Sequence, residues 1–212
     1  MRWPWRRLVL LLPLTLLAGL AVRPAPLAAG PPTDHLRSRI DEVVRLLDDP
    51  QLKPEARARE RRAAVRRIAD EIFDFAETAK RSLGRHWQAR TPAEREEFVQ
   101  LFTDLLERAY LSKIELYNGE NISYVGESIE GDSAVVRTKI TTRQGTEVPV
   151  DYRMLSKGDR WLVYDVNIEG VSLIANYRTQ FNKIIQTSSY QELVRKMKAK
   201  QEEFLDQEKR RT

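Results

Sequence analysis

The chain has 212 residues, with 36 Lys and Arg against 31 Asp and Glu, 2 His and 0 Cys. The missing cysteine excludes a disulfide scaffold, thiolate metal sites and thiol catalysis. The formal charge of +5 is weighted to the amino terminus: without Arg2, Arg6, Arg7 and Arg23 it falls to about +1, so the basic balance is no argument for nucleic-acid binding and none is expected.

Residues 1–30 read as a cleaved export signal. Arg2, Arg6 and Arg7 form a basic start, Leu8 to Leu17 an apolar run broken only by Pro13 and Thr15, and Ala28-Ala29-Gly30 supplies small residues for cleavage. The run is shorter than the roughly 20 apolar residues of a membrane span, and Pro24, Pro26, Pro31 and Pro32 follow it. Arg6-Arg7 admits a twin-arginine route, but the leucine-rich run suits general secretion better. With no cysteine to acylate, the mature product is expected to be released as a soluble molecule rather than anchored. Residues 31–212, roughly 180 in all, are expected to form a single domain, a size that buries around 70% of its unfolded surface.

Thr33 to Leu47 carries Leu36, Ile40, Val43, Val44 and Leu47 at helical spacing and ends at Asp48-Asp49-Pro50. A second helical segment runs from about Pro54 to Leu83, with room for one break. Its apolar set of Val65, Ile68, Ile72, Phe73, Phe75, Ala76, Ala79 and Leu83 covers more than one stripe, so it needs burial on more than one side. The basic run Lys53 to Arg67, interrupted by Glu55 and Glu60, reads as a solvated helix face; a docking face for an acidic partner or anionic membrane is the alternative. Thr91-Pro92-Ala93-Glu94 is a capping box opening a helix that carries Phe98, Leu101, Phe102, Leu105, Leu106, Ala109 and Tyr110 and stops at Asn118-Gly119.

The period then changes. Ile122 to Ile129, Ala134 to Thr142, Val148 to Leu155 and Trp161 to Val166 read as four strands joined by Gly131-Asp132, Gln144-Gly145 and Lys157-Gly158-Asp159, which implies an antiparallel meander. Pro149 has no amide to donate and is expected at an edge or bulge. Gly170 marks a hinge from the last strand into a helix with Val171, Ile174, Tyr177, Phe181, Ile184 and Ile185 on one stripe. Ser189 to Glu192 is a second capping box for a final helix through Leu193, Val194 and Met197, which frays in the charged tail Lys198 to Thr212. The fold class is therefore α+β, a curved four-stranded sheet packed with helices before and after it into a cone expected to enclose an elongated apolar cavity.

Catalytic signals are sparse. His35 and His86 lack a partner at ligand spacing, and no phosphate loop or nucleophile elbow is present. Asp165 beside Tyr164 and Asp151 beside Tyr152 are the only candidate bases, each with a plain structural alternative, a hydrogen-bonded strand-end carboxylate or an outward strand charge. The chain is expected to be no enzyme and to need no cofactor or metal.

The blocks FDFAETAKRSLGRHW (73–87), TPAEREEFVQLFTDLLERAY (91–110), VPVDYRM (148–154) and WLVYDVNIEGVSLIANYRTQF (161–181) resemble the MlaC family of phospholipid-binding proteins, also known as toluene-tolerance auxiliary proteins. The resemblance implies a soluble shuttle for phospholipid cargo in the periplasm of Gram-negative bacteria. Its implied partners are an outer-membrane lipoprotein-porin complex and an inner-membrane ABC transporter with a ring-forming lipid-binding subunit, and its implied role is maintenance of outer-membrane lipid asymmetry. A hopanoid-associated relative is the nearest variant; a cone-fold enzyme using Asp165 and an interaction module with a solid core are the readings from other classes. Periodicity supplies a candidate lipid lining: Ile72, Phe75, Ala79 and Leu83 from the second helix, Phe102, Leu106 and Tyr110 from the third, Val148, Val150 and Tyr152 from the third strand, Leu162, Tyr164 and Val166 from the last, and Ile174 opposite. Arg143 or Arg153 is the candidate to meet a head-group phosphate at the mouth.

Overall fold

The computed structural model describes residues 30–211. The expected export signal lies outside the described residues except for Gly30. Six helices and five strands follow in the order α1 (Pro31–Asp48), α2 (Ala58–Ile72), α3 (Phe75–Leu83), α4 (Pro92–Ile114), β1 (Asn121–Glu130), β2 (Ser133–Thr141), β3 (Glu147–Lys157), β4 (Arg160–Ile168), β5 (Val171–Ser172), α5 (Leu173–Thr187) and α6 (Tyr190–Arg211). Among the described residues no helix is long and apolar enough to cross a membrane.

Pro31 and Pro32 occupy the first turn of α1, where a missing amide donor is harmless. The cap of that turn comes from the sheet: the Glu127 carboxylate in β1 accepts from Thr33 N at 2.7 Å and Thr33 Oγ1 at 2.6 Å, placing an anion at the positive end of the helix. His35 Nδ1 donates to Trp161 O at 2.7 Å and ties the same turn to β4. The long helical segment expected from Pro54 onward breaks at Phe73-Asp74. There Phe73 makes a parallel bridge to Val163, Asp74 N donates to Val163 O at 2.9 Å, and the Asp74 side chain accepts from Glu77 N to start α3. In α4 both bonds of the Thr91–Glu94 capping box form.

All strand pairs are antiparallel, in the order β1-β2-β3-β4-β5. The sheet has five strands where the sequence suggests four. Glu169 and Gly170 both take positive φ, 51° and 83°, the backbone of a two-residue I′ hairpin, and this folds Val171-Ser172 back onto Ile168 and Asn167. Two residues are too few to register as a strand period. Val171 is accordingly exposed, off the helical stripe assigned to it, and α5 begins at Leu173. Pro149 sits opposite Lys139 in an interior strand rather than an edge strand, yet where the ladder to β4 has ended, just beyond the last β3–β4 pair, Val150 with Ile168; its carbonyl accepts from Glu169 N.

Two apolar clusters result. One lies under α1 and α2 against the sheet and holds Leu36, Ile68, Ile72, Ala134, Val136, Met154 and Val163. The other joins α3, α4, α5 and α6 around Phe98, Phe102 and Phe181. Phe181 meets both phenylalanines edge-on at 5.7 and 5.2 Å, and Phe102 meets Tyr177 at 5.0 Å, contacts worth about 0.5–1.5 kcal/mol each beyond area burial. The last helix continues through its charged segment to Arg211.

Candidate functional site

Directly opposed residues of an antiparallel pair share a face. Val148, Val150, Tyr152 and Met154 of β3 stand opposite Ile140, Thr138, Val136 and Ala134 of β2. Ile168 and Val166 of β4 oppose Val150 and Tyr152, and Ile122 and Tyr124 of β1 oppose Ile140 and Thr138. This builds one continuous apolar face across four strands. Its burial is graded. Val136 and Val163 are 0% exposed beneath α1 and α2, whereas Ile122, Ile140, Val148 and Ile168 at the opposite end are only half-buried. The face thus runs from a packed core out to a partly open edge.

Polar groups on this face carry no free charge. Burial pushes the Tyr152 phenol up to about 12, against a smaller opposing effect of its hydrogen bond with Thr138, and burial also raises Tyr124. Both stay neutral at physiological pH. Glu127, opposite Val136, is spent on Thr33, and Thr138 Oγ1 donates to Val150 O at 3.0 Å.

The helices beside the face are joined by ions. Arg61 and Arg62 of α2 each reach Glu115, just beyond α4, at 3.0 Å; Arg66 reaches Glu107 at 2.8 Å and Asp104 at 3.5 Å. The Lys53 to Arg67 run, read from sequence as a solvated face, therefore spends three of its arginines as struts between α2 and α4. Burial raises the Glu107 carboxyl, with Arg66 acting in the opposite sense.

The fourteen lining candidates divide among three places. Val148, Val150, Tyr152 and Val166 share the sheet face, with Ile72 in the cluster over it. Ala79, Leu83 and Phe102 are buried in the helix cluster, and Leu106 packs against it. The remainder sit at joints. Phe75 stacks on Phe73 at 5.5 Å, Tyr110 shares a hydrogen bond with Tyr177, and Ile174 N donates to Asp165. Leu162 and Tyr164 leave the shared phase because Tyr164 is an extra residue between the pairs Arg153–Asp165 and Met154–Val163. Val163 therefore takes the sheet-face position and Leu162 pairs with Leu155 on the reverse. Ile122, Ile140 and Ile168, which sequence reasoning left out, belong to the face; alternation within each strand is the signal that could have found them.

The head-group candidates separate as well. Arg153 opposes Asp165 on the reverse face, 4.0 Å away, whereas Arg143 lies in the β2–β3 turn next to the half-open end. Neither candidate base is placed for chemistry with a second group. Asp165 accepts from Ser172 Oγ at 2.7 Å and Ile174 N at 3.1 Å, and Asp151 lies between Arg137 and Asn167 on the reverse face. Among the described residues no group of three or more His, Asp or Glu is arranged to hold a metal.

A curved antiparallel sheet with one apolar face, roofed by helices at one end and half-open at the other, defines the α+β class of this fold. Over residues 37–199 the chain matches the MlaC protein family, and it belongs to that family. It is 25% identical over 120 residues to the intermembrane phospholipid transport system binding protein MlaC of Haemophilus influenzae, a match covering 54% of this chain and 56% of that protein. It is 26% identical over 125 residues to the toluene tolerance protein ttg2D of Pseudomonas putida, covering 58% of each. The matches thus span a little over half the length of these curated relatives. The structure of the phospholipid-binding protein from Ralstonia solanacearum, solved in complex with a phospholipid, superposes with a TM-score of 0.69 at 25% identity, covering 82% of this chain and 98% of that one.

Proposed function

We propose that this protein binds phospholipid with its acyl chains against the sheet face and carries it through the periplasm as part of an Mla-type intermembrane transport system. The observation that supports this most is the apolar face itself, graded from closed to half-open, in a fold shared with a phospholipid-complexed protein of Ralstonia solanacearum. Two acyl chains hold roughly 30 methylenes, and at about 0.8 kcal/mol each their exposure to water costs on the order of 24 kcal/mol. A carrier must replace most of that contact with protein. Ile122, Ile140, Val148 and Ile168 provide the half-open wall, continued inward by Val150, Tyr152 and Val166; Ile72, Phe75, Leu106, Tyr110 and Ile174 are the candidates on the helical side. Arg143, at the open end, meets the head-group phosphate. In this reading the lipid moves between an outer-membrane lipoprotein-porin complex and an inner-membrane ABC transporter with a ring-forming subunit.

Native mass spectrometry of the protein purified from the periplasm without detergent, followed by organic extraction, tests the reading. A bound mass equal to one phospholipid is expected. A protein that stays free of lipid after incubation with phospholipid vesicles refutes it.

A further inference from the structure

A groove of about 360 Å³ lies between the carboxy-terminal end of α3 and α5, lined by Leu83, Arg85, His86, Arg178, Thr179 and Asn182. Its geometry is built from two segments far apart in sequence. Gly84, at φ +58°, leaves bare backbone over which Arg178 lies; a Cβ there would stand 3.1 Å from Arg178 Cδ. Asn182 Oδ1 accepts from Arg85 Nη2 at 2.7 Å and His86 Nε2 at 3.0 Å, which holds both cation-forming groups toward α5. Asn182 Nδ2 is occupied by Gln186 and the Thr179 hydroxyl proton by Ala175 O.

The charge in this groove is uncompensated. No carboxylate lines it, Leu173–Thr187 contains neither Asp nor Glu, and among the described residues neither Arg85 nor Arg178 makes an ion pair. Arg61, Arg62, Arg66 and Arg81, on other helices, are each matched to an acid. Two planar guanidinium forks on opposite walls of a concave surface, one pre-oriented by Asn182, suit a tetrahedral oxyanion better than a planar carboxylate, because they approach it from different directions.

We propose that the Arg85–Arg178 groove is a phosphate-binding site, separate from the apolar sheet face, whose ligand is a lipid head-group phosphate or free phosphate. The inference stands independently of the acyl-chain reading.

The test follows amide and arginine Nε resonances of the full protein during titration with inorganic phosphate, beside co-sedimentation with vesicles of phosphatidylglycerol or phosphatidylcholine. Saturable shifts confined to residues 83–86 and 178–182 are expected. They should weaken about tenfold or more in the R85Q/R178Q variant, whose substitutions fall on exposed side chains and leave the thermal midpoint unchanged. Vesicle binding lost in the same variant identifies the head group as the source; phosphate binding without vesicle binding identifies the free ion. The proposal is overturned if phosphate leaves these resonances unmoved, if the double variant binds it undiminished, or if a glutamate-rich peptide occupies the groove while phosphate does not.

Discussion

Replacing Asp165 tests how the sheet hands the chain to α5. Its carboxylate accepts from Ser172 Oγ at 2.7 Å and Ile174 N at 3.1 Å, the residue is 5% exposed, and Ser172 Oγ in turn accepts from Ala175 N at 3.0 Å. Hydrogen bonds to a charged acceptor contribute about 1.5–3 kcal/mol each, and a buried donor left without a partner costs about 1–3 kcal/mol. Asp165→Ala removes both bonds and strands the Ile174 amide, so it should destabilise the fold by about 3–4 kcal/mol. The half-exposed Arg153, 4.0 Å away, adds little because water screens it. Asp165→Asn keeps an acceptor for Ile174 and can donate to the Ser172 hydroxyl, so it should lose only about 1 kcal/mol. Urea unfolding followed by circular dichroism reads both variants. An Asp165→Ala protein within about 0.5 kcal/mol of the parent, a change typical of an inconsequential surface site, would refute the capping role.

Further expectations follow from the same geometry. Val148→Trp, at a half-buried position, should lower bound phospholipid in native mass spectrometry by more than half while leaving the thermal midpoint in place. Val150→Trp, at a site 4% exposed, should instead overpack the core at about 1–3 kcal/mol. Glu115→Ala leaves the Arg61 guanidinium, whose side chain is 12% exposed, without its carboxylate and should cost about 2 kcal/mol in urea unfolding; Arg57→Ala, breaking the exposed pair with Glu60, should stay within about 0.5 kcal/mol. The Tyr152 and Tyr190 phenols, both pushed up to about 12 by burial, hold their protons longer in the folded than in the unfolded chain. Their contribution to stability is complete below the ordinary tyrosine value near 10 and is lost as pH rises toward 12. Thermal midpoints that stay flat across that interval, beside absorbance titration at 295 nm, would refute it.

The parts of this molecule legible in its sequence are those decided locally. Thr91 and Glu94 announce the start of α4 because both bonds of a capping box close within four residues. The strands of the meander announce themselves because each hairpin carries its own turn residues and the faces alternate strictly within β3. What stayed hidden was decided by partners far away. Phe73-Asp74 reads as helix until Val163 is there to accept from Asp74, and nothing near Glu127 in sequence signals that its carboxylate caps Thr33, 94 residues away.

The lining illustrates the same boundary at the functional site. Extrapolating alternation from Trp161 puts Leu162, Tyr164 and Val166 on one face, and that is correct only on one side of the bulge at Tyr164. A single extra residue exchanges the faces of everything before it, so Val163 rather than Leu162 reaches the sheet core. Periodicity also cannot separate a wall that a ligand touches from a wall that another side chain touches, since both need apolar residues at the same spacing. The distinction lies in burial. Ala79, Leu83 and Phe102 are closed off by neighbouring helices, while Ile122, Ile140, Val148 and Ile168 remain half-covered at the end of the sheet that α1 and α2 leave open. Under the proposed function, this half-covered apolar surface is where the lipid lies, and its position beside the Arg143 turn sets the orientation expected of it, chains inward along the sheet and phosphate at the rim.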